Sequence, residues 1–488
     1  MKLDQDICYR ALQTRDARFD GHFFTAVLTT KIYCRPICPA RTPQRQNCLF
    51  MPSAPAAQGA GFRPCLRCRP EISPNLLGRL GATSTVFDRA LSAIAAGALD
   101  EGGVKTLASQ LEVSDRHLRR LFTEHLGASP VTVAQTRRIL FAKQLIDETD
   151  FSMTEVAMAA GFASIRRFND AMQKTYQKPP RALRKIRTVA SKISPTPNIT
   201  LKLPFSPPYD WATLVQFLAG RAMPGIESVT INSYQRTIAL EQCHGVIEVR
   251  PVRGKNYLIA NIQFPKVTAL ALIVERLRRI FDLSANTAMI SEHLASAPYL
   301  ASVVTARPGL RVPGAWDGFE LAVRAILGQQ ISVAAATTLA SRLVATYGEP
   351  LVASDTSWAA PELRFVFPRP ELLIGEDLTK LGITQARSRA ITSLAAAMTE
   401  NPHTLTGFQT LEDAVKQLCK LPGIGEWTAH YIAMRSLREP DAFPASDLAL
   451  LRAMEKREQP MTKAKLSKLA EAWRPWRAYA AMYLWSAG

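Results

Sequence analysis

The chain has 488 residues, 47% apolar and 21% charged, a globular balance that excludes a wholly disordered or collagen-like protein. At ~150 residues per domain it holds about three domains, or four small ones; no apolar run nears the ~20 residues that span a bilayer, and the start Met1-Lys2-Leu3-Asp4 lacks the apolar core of a secretory signal, so a cytosolic protein without a membrane partner is expected. Lys and Arg number 60 against 41 acids, and residues 1–200 alone carry 29 basic and 16 acidic side chains; a basic excess gathered in one part suits a polyanion such as nucleic acid, although a merely soluble basic protein shares that balance.

The eight cysteines are unevenly placed. Cys34 with Cys38 and Cys65 with Cys68 form two close pairs 26 residues apart, a spacing that suits a tetrahedral four-thiolate Zn²⁺ site far better than disulfides in a cytosolic chain. Such closed sites are ordinarily scaffolding. Here Arg35, Arg41, Arg45, Arg63, Arg67 and Arg69 lie in or beside the loops, offsetting the formal −2 of the site and offering forks for phosphate. Residues 1–75, with Cys34-Arg35-Pro36-Ile37-Cys38 and Gly61-Phe62-Arg63-Pro64-Cys65-Leu66-Arg67-Cys68, resemble the N-terminal domain of the Ada family, in which a zinc-bound cysteine accepts a methyl group from DNA methyl phosphotriesters. The resemblance implies Cys34 as the acceptor, Cys38, Cys65 and Cys68 as the remaining ligands, and Arg41 and Arg67 on the DNA backbone; Cys8 and Cys48 match no ligand and are expected in the core.

Residues 80–188 read as short amphipathic helices. Ser114 is a good N-cap, and Leu118, Leu121 and Phe122 supply a buried stripe that leaves Arg116, His117, Arg119 and Arg120 largely free for a major groove. A second unit runs from Met153 to Ala160, turns at Gly161-Phe162, and continues into a helix with Arg166, Arg167 and Asn169. One such helix would be an ordinary solvated face; two units about 45 residues apart resemble the AraC-type double helix-turn-helix. The proline-rich stretch around residues 189–206 reads as a linker.

Residues 233–241, 245–251 and 256–263 alternate like strands, and 267–281 has helical spacing, which predicts an antiparallel α+β domain over 207–306. Beyond it the pattern is helical. Leu421-Pro422-Gly423-Ile424-Gly425 opens a helix between two helical patterns, the helix-hairpin-helix arrangement that grips a DNA backbone through Gly423 and Gly425. Asp447 follows 22 residues later. Alone, an Asp before an apolar helix is an N-cap; with the hairpin at this distance it resembles the catalytic acid of the helix-hairpin-helix DNA glycosylases. Residues 203–488 resemble the 3-methyladenine DNA glycosylase II branch, through Pro207–Trp211, Arg307–Gly314, Arg324–Val333 and Trp473–Ala480. That resemblance implies Phe217, Trp427, Tyr431 and Trp485 lining the pocket for a flipped base, and Gln330 as a polar wedge where the well-known relative has Leu. Trp427 stands where lyase-type relatives place a nucleophilic Lys, so a glycosylase without lyase activity is expected. Leu448 replaces an aromatic after the Asp.

The expected architecture is therefore multidomain and mainly α: a zinc domain (1–75), a double helix-turn-helix (80–188), a linker (189–206), an α+β domain (207–306) and an all-α glycosylase domain (307–488). The expected partner is double-stranded DNA, alkylated or promoter, bound by a monomer in a bacterial cytoplasm. No Pro-Cys-His-Arg motif occurs, so reversal of O6-methylguanine is not expected. The competing reading is a DNA-binding regulator whose C-terminal half has lost catalysis.

Overall fold

The computed structural model describes residues 3–74, 85–100, 102–184, 198–351, 359–455 and 461–487 and divides into two units, Met1–Pro207 with Val252–Glu275, and Pro208–Pro251 with Arg276–Gly488. Among the described residues no helix is long and apolar enough to cross a membrane.

In the first unit, strands Phe24–Val27, Ile32–Cys34, Cys48–Met51 and Arg63–Pro64 form a small sheet in which Ile32–Cys34 and Arg63–Pro64 run parallel. That pairing sets Tyr33 against Pro64, so the residues that follow, Cys34 and Cys65, leave the sheet side by side. Cys8 and Cys48 lie, as expected, in an apolar cluster with Phe23 and Phe50; burial pushes the Cys8 thiol up to about 11, so it stays a packing group.

The expected helix-turn-helix elements are present as Val104–Gln110 with Asp115–Leu126, and Met153–Ala159 with Ile165–Tyr176. Ser114 caps its helix by accepting the His117 amide, and Leu118, Leu121 and Phe122 are buried. Ser152 and Glu155 close a capping box on the later unit. Gly161 turns with φ +82, and a Cβ there would lie 2.1 Å from a carboxylate oxygen of Asp100, which is paired with Arg137. Only glycine fits both demands.

Within the first unit, between the two helix-turn-helix pairs, runs a helix the sequence reading did not isolate, Pro130–Glu148, opened by Ser129 as N-cap and Pro130 in its first turn. It is buried on nearly every side, so it lacks the one-faced pattern that identifies a surface helix. Several contacts tie it and its neighbours to the zinc domain: the Ser53 hydroxyl donates to the Leu126 carbonyl (2.7 Å), Thr136 donates to Gln58 (3.1 Å), and Arg69, which also pairs with Glu71 (2.9 Å) of its own domain, reaches Asp147 (3.1 Å) and Glu148 (3.3 Å). Lys143 completes this buried seam at 2.6 Å from Asp147.

The linker reading needs correction over Asn198–Pro204, which forms a strand paired antiparallel with Tyr257–Gln263. Ile199, Leu201 and Leu203 alternate inward, and Glu148 accepts the Lys202 amide (3.0 Å). Residues 189–197 of that stretch, and 185–188 at the end of the helix-turn-helix reading, lie outside the described residues.

In the second unit, Glu227–Val229, Tyr234–Leu240 and Cys243–Pro251 form an antiparallel ladder, matching the first two predicted strands. Helix Gly318–Leu327 is buried almost all round and packs on Val333–Tyr347, Gln385–Glu400 and Glu426–Ile432. Gly309 has φ +87 and its Cβ position lies 2.5 Å from the Pro208 backbone, so Arg307–Gly314 and Pro207–Trp211, two separate sequence motifs, meet where no side chain fits.

Candidate functional site

The hairpin lies between helices Leu411–Leu418 and Glu426–Ile432. Its two glycines have different reasons. Gly423 has φ +75 and a Cβ there would sit 2.4 Å from Ala390, so it serves the backbone and the packing; Gly425, the N-cap residue, has open space over it and leaves the helix N–H groups approachable. Gln329 fastens the preceding loop to the hairpin, donating to the Gly423 carbonyl (2.8 Å) and to Thr428 (3.0 Å). Next to it Gln330 stands exposed at the loop tip with φ +56, an uncommon conformation for a side-chain-bearing residue.

Asp447 is half-buried, not turned into the core. One carboxylate oxygen accepts the Trp427 indole N–H (2.8 Å); the other accepts the Trp485 indole N–H (3.0 Å) and the Ala449 and Leu450 amides (3.0 Å each). The capping role and the site role are therefore compatible: the backbone donors fix the helix start while two indoles aim the group. Trp427 stacks on Tyr431 with centroids 5.3 Å apart and planes at 11°, Tyr431 tilts onto Trp485 at 6.3 Å, and Phe217 stacks on Trp485 at 6.3 Å. All four expected aromatics thus gather at Asp447. Sequence reasoning assigned the tryptophans only a π surface; their hydrogen bonds to the acid were not foreseen. Leu448 points outward, 64% exposed.

The segment bearing Asp447 and the helix bearing Trp485 are fastened together by the Trp473–Ala480 motif. Arg477 donates to Asp441 at 2.7 and 2.8 Å, Arg474 pairs with the same carboxylate, and the Ala478 amide donates to the Pro440 carbonyl (2.9 Å). This bidentate clamp holds Trp485 where its N–H reaches the acid.

In the first unit the sulfurs of Cys34, Cys38, Cys65 and Cys68 all lie within 4.8 Å of one another. Tetrahedral zinc with ~2.3 Å bonds separates its sulfurs by ~3.8 Å, so the four fit Zn²⁺. The Arg35 and Arg67 amides donate to Cys68 Sγ (3.3 Å) and Cys65 Sγ (3.4 Å), the secondary contacts that hold thiolate ligands in place. Cys34 is the one ligand that is partly exposed; the other three are buried.

The arginines divide. Arg35 is buried, its fork spent on Asp20 and on the Cys68 carbonyl, and Arg69 is spent in the seam, so neither offers a phosphate fork as the sequence suggested. Arg41 and Arg67 are exposed, with no ion pair among the described residues. In the helix-turn-helix units Arg116, Arg166 and Arg167 are exposed, whereas Arg119 is held by Asp115 at 2.9 Å.

Four family models match along the chain: the metal-binding domain of Ada at residues 7–71, a helix-turn-helix domain at 107–186, the AlkA N-terminal domain at 200–317, and the HhH-GPD superfamily base excision DNA repair protein at 323–479. A probable bifunctional transcriptional activator/DNA repair enzyme AlkA of Mycobacterium tuberculosis is 41% identical over 486 residues, 99% of this chain and 96% of that protein. DNA-3-methyladenine glycosylase 2 of Escherichia coli is 36% identical over 58% of this chain and 95% of its own length, and the bifunctional activator/repair enzyme Ada of the same organism is 35% identical over 33% and 43%. The 3-methyladenine DNA glycosylase structure from Archaeoglobus fulgidus shares the fold of the second half, with TM-score 0.51 at 21% identity over 58% of this chain and 96% of that one. With a zinc-fitting cysteine cluster, two DNA-binding helix pairs and a repair-type hairpin joined in one sequence, the chain belongs to the family of bifunctional transcriptional activator/DNA repair enzymes of the AlkA type.

Proposed function

We propose that the second half is a DNA glycosylase without lyase activity that excises alkylated purines of the 3-methyladenine and 7-methylguanine type, and that the first half senses methyl phosphotriesters through Cys34 and regulates transcription. The observation that carries the glycosylase reading is the grip on Asp447: both carboxylate oxygens accept N–H donors from the tryptophans that form the aromatic cluster. Ring alkylation makes the purine cationic and weakens its bond to C1′. With the base flipped among the aromatic rings, that bond breaks with its electron pair leaving on the base, and the sugar acquires oxocarbenium character opposite the Asp447 carboxylate. Water then adds to C1′, loses its proton to solvent, and leaves a free base and an abasic site. Trp427 in place of a lysine leaves no amine on that helix to form a Schiff base and cut the strand. The name of the Escherichia coli glycosylase supports 3-methyladenine as the substrate class.

Zinc at the cysteine cluster would keep its four sulfurs as thiolates at neutral pH. Cys34, the ligand whose residue is not fully buried, attacks the methyl carbon of a phosphotriester; the C–S bond forms, the C–O bond breaks, and a phosphodiester anion departs. The thiolate becomes a thioether, so the site loses one negative charge and repels DNA less, raising promoter affinity.

Incubation with methylated duplex DNA tests both. Chromatography is expected to find free 3-methyladenine from strands that remain uncut until alkali is added. No released base favours the inactive-regulator reading, and cutting without alkali refutes the absence of lyase activity. With methyl-phosphotriester DNA, mass spectrometry is expected to find one methyl on the peptide containing Cys34; an unmodified peptide leaves the cluster a scaffold.

A further inference from the structure

A small enclosed cavity of about 20 Å³, room for one water, lies in the second unit beside the aromatic cluster. Its lining is heavily charged: Arg221, Arg236, Arg324 and Arg435 face it against only Glu227 and Glu320. Arg236 pairs with Glu320 (2.7 Å) and Arg324 with Glu227 (3.2 Å), while Tyr234 donates to Glu227 (2.6 Å). Two of the four positive charges therefore have no carboxylate partner in the group. Arg435 comes off a π-helical turn, Ala433–Leu437, with its fork fixed by the Pro313 (2.9 Å) and Gly314 (3.0 Å) carbonyls, and it points its remaining nitrogen at the Tyr431 hydroxyl oxygen (2.7 Å). Arg221, stacked on Phe217 at 3.7 Å, faces the same oxygen.

A guanidinium offers donors only. The buried Tyr431 oxygen thus receives hydrogen bonds from arginine, and among the described residues nothing accepts its own proton. A neutral hydroxyl wastes its donor there; a phenolate satisfies every contact and removes one unit of the uncompensated charge.

Resting on the glycosylase reading, we propose that Tyr431 is a specificity-determining residue that works as a tyrosinate, placing a negative charge on the wall of the base pocket and favouring purines made cationic by alkylation over neutral ones. The electrostatics agree in sign. Burial pushes the phenol up, but Arg435, Arg221, the hydrogen bond from Arg435 and Arg324 together outweigh it and bring the group down to about 8. The anion is then a minor form at neutral pH and dominates above about pH 8. Its charge reaches the pocket through the ring stacked on Trp427, the indole that also holds Asp447.

Two measurements on the full chain test this. Titrated by tyrosinate absorbance, the wild type is expected to show one tyrosine with a midpoint near pH 8 that Tyr431→Phe lacks, and Arg221→Gln, which keeps the tyrosine, is expected to move that midpoint up by ~1 unit. In parallel, kcat/KM is measured for release of 3-methyladenine, a cationic base with no ring N–H to lose. It is expected to rise about tenfold between about pH 6.5 and 9 in the wild type, the order of a nearby unit charge partly screened by its guanidinium partners, and to stay flat in Tyr431→Phe. Base release without the spectral step, or the same pH step in both proteins, overturns the proposal alone. A spectral step with no release at any pH sinks the glycosylase reading, and the assigned role with it.

Discussion

Replacing Asp447 by Asn tests charge and geometry separately. Asn keeps one carbonyl oxygen, which can go on accepting from the Ala449 and Leu450 amides and from Trp485, so the helix start survives. Its NH₂ replaces the oxygen that accepts from Trp427 at 2.8 Å and sets donor against donor. Leaving that half-buried indole unpaired costs ~1 kcal/mol, a Tm loss of about 2–4 °C for a domain of this size. The chemical step loses more. A carboxylate ~4 Å from a sugar cation at an effective dielectric of about 20 contributes ~4 kcal/mol, or roughly a thousandfold in rate. Single-turnover release of 3-methyladenine with enzyme in excess isolates that step from DNA binding. A deficit of about 10³ with unchanged DNA affinity is expected. A deficit under about tenfold, or one that disappears when more DNA is bound, refutes the assignment of charge stabilisation to Asp447.

Trp427→Phe keeps a ring but removes the N–H, so release is expected to fall about tenfold with DNA affinity intact, read in the same assay. Cys65→Ser, or prolonged chelation, is expected to take the metal content from one zinc per chain to none and to open the first 75 residues to protease, while the second half keeps its base-releasing activity. Arg116→Ala and Arg166→Ala are each expected to weaken promoter binding and lower the slope of log K against log salt by about 1; Arg119→Ala, whose guanidinium is occupied by Asp115, is expected to change it less. Gly161→Ala combines a left-handed backbone with a Cβ 2.1 Å from Asp100, and chemical denaturation is expected to find ~2–4 kcal/mol of stability lost.

What was legible in the sequence was local. The cysteine spacing, the cap at Ser114, the glycine hairpin and the distance to Asp447 each follow from residues close in the chain, and the structure places them as read. What escaped depends on partners far away. Nothing near Arg35 says that Asp20 will take its fork, and nothing near Arg69 says that Asp147 and Glu148 will take another; both were counted as phosphate ligands. The strand Asn198–Pro204 was hidden by neighbouring prolines, although its alternation of Ile199, Leu201 and Leu203 was present to be read. The tryptophans were placed on the pocket wall by the family resemblance, which speaks to rings; that their N–H groups converge on one carboxylate follows only when 427, 447 and 485 are brought together in space.

The buried helix Pro130–Glu148 also constrains what DNA the protein can read. At 1.5 Å per residue its 19 residues make a rod of ~28 Å, close to the ~34 Å turn of B-form DNA. A rod locked by ionic pairs to Asp100 and Arg69 cannot stretch, so the two helix pairs that it joins keep a fixed spacing. An operator read by both helix pairs is therefore expected to be bipartite with a fixed spacing between its halves, and inserting half a turn of DNA between them is expected to weaken binding.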